Sequence, residues 1–294
     1  MNEIRIDALL PAEMAERAEY IGVRKAEMPL FKMFVLAVLA GAFIALGAIF
    51  ATLVGSGAFI MRSAEGQIVS ITLPYGLQRL FMGLVFSLGL ILVVIGGAEL
   101  FTGNNLIVMA WANHKISTKA LLRNWGIVYL GNFVGAFGTA MLNFLARQYL
   151  ASQGEVGITA LKIGIAKTQL GFWQALFLGI LCNGLVCLAV WMTYSARSVV
   201  DKIFAIILPI SAFVAAGYEH SIANMYFVPY AWLIKTFDPA FVQKVAEKVP
   251  GVEHLSWQNF LLHNLLPVTI GNVIGGAVLV ALVYWLIFLR KNSQ

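Results

Sequence analysis

Long uncharged apolar runs alternate with short polar segments along the chain, and the runs set its architecture. Residues 33–61, 124–146 and 168–196 contain no charged residue and no histidine. Residues 80–113 are interrupted only by Glu99, 255–289 only by His263, and 203–234 only by Glu219 and His220. A bilayer core is crossed by about 20 apolar residues in a helix, so the pattern predicts six transmembrane helices. Spans two and five, 34 and 32 residues between charges, exceed one straight crossing of about 20 residues. Each carries a polar cluster in the middle, "GGAELFTGNN" and "GYEHSIANM".

The stretch ahead of these runs, residues 1–28, is highly charged and lacks an apolar core, which argues against a cleavable signal peptide. Its pattern predicts an amphipathic cytosolic helix begun by Pro11, with Met14, Ala15, Ala18 and Ile21 on one side. The expected organisation is this segment, a six-span channel domain over 29–289 and a cytosolic tail over 290–294. Placing both ends in the cytoplasm collects 12 of the 20 Lys and Arg on that face.

The runs also repeat. "NWGIVYLGNFVG" (124–135) matches "NLLPVTIGNVIG" (264–275), pairing Asn124 with Asn264, Asn132 with Asn272 and Gly135 with Gly275. "GGAELFTGNN" over "AGYEHSIANM" pairs Gly97 with Gly217, Glu99 with Glu219 and Asn104 with Asn224. Three spans per half is an odd number, so the halves, about 33–146 and 168–289, are expected to form an inverted 3+3 repeat. Such repeats place their path between interrupted helices at the midplane.

Each polar cluster is the expected break in its helix, with Gly97 and Gly217 relaxing the backbone on the approach. Thr102 and Ser221 are expected to cap the restarting helices, and Glu99 and Glu219 to accept hydrogen bonds from the amides freed there, with Asn104 and Asn224 in support. The positive ends of the two restarted helices would make the centre attractive to anions. His220 has no counterpart, since Leu100 occupies the equivalent position. An ionisable group inside a span is a functional residue by default, so His220 is the expected pore residue.

Composition fits this picture, with 60% hydrophobic and 12% charged residues. The net charge of +6 is explained by the cytoplasmic collar and has no stripe suited to nucleic acid. Cys182 and Cys187, five apart on span four, read as packing residues, and no metal-ligand spacing or phosphate loop is present, so no cofactor is expected. An intramembrane hydrolase built on Ser221, His220 and Glu219 is disfavoured because immediate chain neighbours seldom converge as a nucleophilic triad. A neutral-solute channel of aquaporin type is disfavoured by the absence of paired "NPA" turns.

The chain resembles the formate/nitrite transporter family, most closely its formate-channel branch. The strings that carry the likeness are "LLPAEMAERAEYIGVRKA", "FSLGLILVVIGGAELFTGNN", "LVCLAVWMTYSARS", "GYEHSIANM", "NLLPVTIGN" and "YWLIFLR". The resemblance implies an aquaporin-like protomer, a homopentamer in the inner membrane and one pore per protomer for formate or a related small monovalent anion. By its motifs, Thr102 and His220 are the central pore pair, Phe86, Leu90, Leu100 and Phe213 the hydrophobic constriction, and Lys167 and Asn272 the outer vestibule. Lys162 competes with Lys167, because "IAKTQLGF" lacks the histidines that follow the lysine in formate-channel relatives. Gly103 replaces a serine common in that branch and is shared with nitrite relatives. The mechanism this implies is anion attraction by Lys167, orientation by Thr102 and a proton shared or donated by His220.

Overall fold

A computed structural model describes residues 8–57, 59–62 and 68–290, without the side chains of the short strands. Six helices are long and apolar enough to span a membrane: α2 (Leu30–Val54), α3 (Tyr75–Gly96), α5 (Thr118–Leu145), α7 (Phe172–Ser195), α8 (Val199–Ala216) and α11 (Trp257–Leu289). An antiparallel hairpin, β1 (Phe59–Arg62) and β2 (Ile68–Ile71), joins α2 to α3 with Phe59 opposite Ile71; nothing in the apolar pattern announces it. α11 has wide, π-type hydrogen bonding over Phe260–Leu265, Ile274–Leu282 and Trp285–Leu289.

The amphipathic segment forms α1 (Pro11–Ala26), which buries Met14, Ala15, Ala18, Gly22 and Ala26 against the rest of the protein; Ile21 is half-buried. It is docked, since Arg17 donates to the Tyr194 carbonyl and Ser195 to the Leu9 carbonyl. A second short helix, α6 (Glu155–Thr168), lies in the stretch expected to be a loop between spans three and four. Of the tail expected over 290–294, only Arg290 lies within the described residues.

Both long spans are interrupted. α3 ends on Gly97 (φ 71°) and α8 on Gly217 (φ 76°), left-handed conformations that glycine adopts without steric cost. After the first gap the chain restarts as a tight 3-10 turn over Gly103–Ile107 and one turn of helix, α4 (Val108–Ala112). After the second it restarts as the 17-residue helix α9 (Ser221–Phe237), followed by α10 (Pro239–Lys244). The expected pair of matching half-helix dipoles is therefore unequal, because only α9 is long enough to build one.

Small residues bring the spans together. A Cβ added at Gly135 would fall on the Val38 carbonyl and one at Gly275 on the Ile180 carbonyl, matching contacts of α5 on α2 and of α11 on α7. Large apolar side chains such as Leu130, Phe177, Phe204 and Leu208 face outward, as a lipid solvent requires. Gly135→Ala should lower the thermal midpoint in detergent, since overpacking costs about 1–3 kcal/mol. Gly138→Ala, where nothing lies within 4 Å, should leave the midpoint equal or higher.

Candidate functional site

Two cavities face each other across the broken helices and share no lining residue. The inner one, on the α1 side, has a volume of about 190 Å³ and is lined by Lys25, Glu99, Asn104, Leu90 and Leu100 among others. The outer one, about 440 Å³, is lined by Arg79, Phe86, Lys167, Phe213, Glu219, His220 and Asn224 among others. Between them Phe86, Leu90, Leu100 and Phe213 are each at most 3% exposed, with the Phe86 and Phe213 rings edge to face at 5.7 Å. Phe86 and Phe213 thus close the outer cavity and Leu90 and Leu100 the inner one, so the four expected constriction residues lie as a buried apolar plug between the two.

Thr102 and His220 are the polar pair at this plug, with Thr102 Oγ1 2.9 Å from His220 Nε2. His220 is also the N-cap of α9, its Nδ1 accepting the Ala223 N–H at 3.1 Å. Nδ1 therefore carries no hydrogen, so in the neutral ring Nε2–H donates to the Thr102 hydroxyl oxygen. The Thr102 hydroxyl hydrogen is left to point elsewhere. The expected caps differ: the Thr102 side chain makes no capping bond, and the Ser221 hydroxyl is buried with no hydrogen-bond partner. Ser221 supports the break only through its backbone N–H.

Glu99 and Glu219 do not take the freed amides. Glu219 accepts from Lys167 Nζ at 2.8 Å, Asn224 at 2.7 Å and Asn264 at 3.1 Å. Glu99 accepts from Lys25 Nζ at 2.9 Å and Asn104 at 2.7 Å. Asn124 and Asn264 tie each group to its helix, accepting from Asn104 and Asn224 and donating to the carbonyls of Lys25 and Lys167. A buried carboxylate is tolerable when paired and fully hydrogen-bonded, and both pairs meet that condition. The two sides differ in two respects: Lys25 also donates to Asn104 Oδ1, whereas Asn224 Oδ1 has no partner, and Asn264 donates to Glu219, whereas Asn124 turns to the Met33 sulfur.

At each break one freed amide goes to an asparagine of the repeat, while the Glu99 and Glu219 N–H groups donate to the carbonyls of Leu36 and Leu178. Asn132 accepts from Phe101 N–H and donates to the carbonyls of Glu99 and Ala37. Asn272 accepts from Ser221 N–H and donates to the carbonyls of Glu219 and Gly179. Asn272, expected in the outer vestibule, is fully buried and spends every polar atom on backbone, so it is a clamp beneath the cavity. Lys167 lines the outer cavity, whereas Lys162 is exposed outside it.

Lys25 and Asn183 are site residues that the apolar pattern conceals. Lys25 sits in the charged N-terminal segment, and its signal is a place 142 residues before Lys167, the same spacing that separates Ala37 from Gly179. Paired contacts thus begin ahead of the 33–146 and 168–289 limits. Asn183 donates to the Asn272 carbonyl at 2.6 Å and to the Thr102 carbonyl at 3.3 Å, and Cys187 also reaches Thr102 O. At that spacing the first half has Gly41, so Asn183 links the two breaks with no counterpart.

Asn272→Leu should leave the Ser221 N–H and Glu219 carbonyl buried without partners. At about 1–3 kcal/mol for each unpaired group, the variant should lose thermal stability and oligomer in detergent. Unchanged stability with weakened anion affinity would instead make Asn272 a vestibule ligand.

Comparison with known proteins accords with this geometry. The family model described as "Formate/nitrite transporter" matches residues 12–286. A relative named "Formate channel FocA" from Escherichia coli (strain K12) is 45% identical over 98% of this chain and 97% of its own length. A "Probable formate transporter" from Methanothermobacter thermautotrophicus is 36% identical over 96% and 97%. Among solved structures, one described as "Pentameric formate channel with formate bound" superposes with a TM-score of 0.78 at 44% identity, covering 89% of this chain and 98% of that one. An "FNT family ion channel" gives 0.76 at 28% identity, covering 94% and 98%. The chain is an integral membrane protein, and it belongs to the formate/nitrite transporter family.

Proposed function

We propose that this protein is a transporter for formate, moved together with a proton through a pore inside each protomer of a homopentamer. The observation that carries the reading is a pair of cation-bearing cavities facing each other across a dry plug whose polar pair is Thr102 and His220. The relatives' names supply the substrate and the pentamer. The charge bias supplies an inner-membrane orientation with both ends in the cytoplasm, and the matched contacts around Asn132 and Asn272 support an inverted repeat.

Magnitudes decide how the substrate crosses the plug. Moving an isolated carboxylate into an apolar medium costs tens of kcal/mol on a Born estimate. Protonating a carboxylic acid with a pKa near 4 at pH 7 costs about 4 kcal/mol. The neutral acid is the cheaper cargo. The net positive lining of the outer cavity and the N-terminus of α9 concentrate the anion there, where a proton is available from water, and Thr102 donates its hydroxyl hydrogen to a carboxyl oxygen passing the plug.

In this scheme His220 acts as a neutral donor that fixes Thr102, which replaces the expectation that it gives the substrate its proton. Its Nδ1 is committed to the Ala223 N–H, so charging the ring would break the cap of α9.

The test is formate uptake into proteoliposomes at pH 5.5 and 7.5 with internal pH recorded. Wild type should acidify the interior in step with uptake. His220→Asn should keep the α9 cap, because Asn is a strong N-cap, and keep that acidification per formate. It should lower flux by about tenfold, the effect of one lost hydrogen bond of about 1.4 kcal/mol. Formate entry without acidification in this variant alone would make His220 the proton donor, and failure of wild type to take up formate would remove the substrate assignment.

A further inference from the structure

Three charged side chains line the outer cavity among the described residues: Arg79, Lys167 and Glu219. Lys167 and Glu219 form an ion pair at 2.8 Å, with side chains only 14% and 7% exposed, so at a distance their fields largely cancel. Among the described residues Arg79 has no carboxylate partner. Its guanidinium donates instead to the carbonyls of Val214 and Ala215, at the end of α8 just before the second break. A helix C-terminus carries about half a negative elementary charge at most, so a full guanidinium is only partly compensated. The cavity keeps a positive balance, and Arg79 supplies it.

The placement suits an anion trap. Arg79, Met82 and Phe86 follow one another at i, i+3 and i+7 on α3, which stacks them on one face, and all three line the cavity. Seven residues at 1.5 Å each set Arg79 about 10 Å outward of the Phe86 constriction along the helix. That is about one Debye length at 0.1 M salt, close enough to raise anion concentration at the plug and far enough not to hold the anion there. Among the described residues the inner cavity has no equivalent, since Lys25 and Glu99 are the charged residues that line it there and are paired with each other.

We propose that Arg79, held by the carbonyl end of α8, is the residue that recruits small monovalent carboxylates to the outer cavity, with the Lys167–Glu219 pair contributing mainly to the break. The proposal rests on the reading of the protein as a formate transporter and names the recruiting group of that same site. An arginine suits the role because its charge does not titrate and its fork can hold a backbone carbonyl while presenting a remaining N–H to a carboxylate.

The experiment is formate uptake by wild type, Arg79→Gln and Arg79→Lys in proteoliposomes, at 10 mM and 150 mM ionic strength. Arg79→Gln keeps an amide that can donate to a carbonyl but has no charge; it should raise KM roughly fivefold at low salt with maximal flux within a factor of two. The gap should shrink below twofold at 150 mM, where screening already weakens recruitment. Arg79→Lys should restore a KM near wild type. An unchanged KM in Arg79→Gln at low salt overturns the proposal, as does an equal loss of maximal flux in both variants, which would reduce Arg79 to a helix cap. Absence of formate uptake by wild type would instead strike the transporter reading, so the two failures are distinguishable.

Discussion

At the depth of a bilayer centre no water is available to pair a backbone amide, and this chain leaves the helix there twice. Every other feature of the site answers that constraint. Two buried asparagines, Asn132 and Asn272, each accept one amide and hold a carbonyl at the gap, carbonyls of α2 and α7 take the Glu99 and Glu219 amides, and two glutamates, each neutralised by a lysine, anchor the loops from the cavity side. The irregular backbone survives because protein polar groups stand in for solvent.

Having solved that problem, the fold obtains, at the proposed pore centre, donors but no fixed charge. The first break, restarted as a 3-10 turn, presents Thr102; the second, restarted as a full helix, needs a cap and uses His220 for it. One imidazole thereby joins the two halves, holding α9 through Nδ1 and Thr102 through Nε2. Asn183 and Cys187 steady the Thr102 carbonyl from α7. The surrounding plug of two Phe and two Leu is apolar and buried, which is why the proposed cargo is the neutral acid.

Much of this is legible in the sequence for physical reasons. Lipid as solvent forces long apolar runs, so the six spans appear as gaps between charges. Buried polar residues are costly in such runs, so Glu99, Glu219 and His220 stand out, and the glycines at 97 and 217 are the residues the left-handed turns require. What stays hidden depends on which atom meets which. Glu219 reads as an acceptor for amides, but the nearer donors are the side chains of Lys167 and Asn224. Ser221 reads as a cap, but the cap is its neighbour His220. Lys25 belongs to the site only because α1 docks under the first break, and Asn272, an expected vestibule residue, shows itself as a clamp only through its backbone partners. The helix α6 lies between apolar runs, where the hydrophobic pattern is weakest, and β1 occupies the tail of the 33–61 run, which reads as a continuation of the span.

The account turns on the claim that no net charge crosses the plug. The direct measurement is formate flux in proteoliposomes across which a potassium gradient sets the membrane potential at −100, 0 and +100 mV while pH is clamped equal on both sides. A transported elementary charge would couple to about 2.3 kcal/mol per 100 mV, enough to change flux many-fold over that range. The neutral-acid account predicts initial rates that are the same at all three potentials. Rates that rise steeply when the interior is positive would show that the formate anion itself passes between Phe86, Leu90, Leu100 and Phe213, and would contradict it.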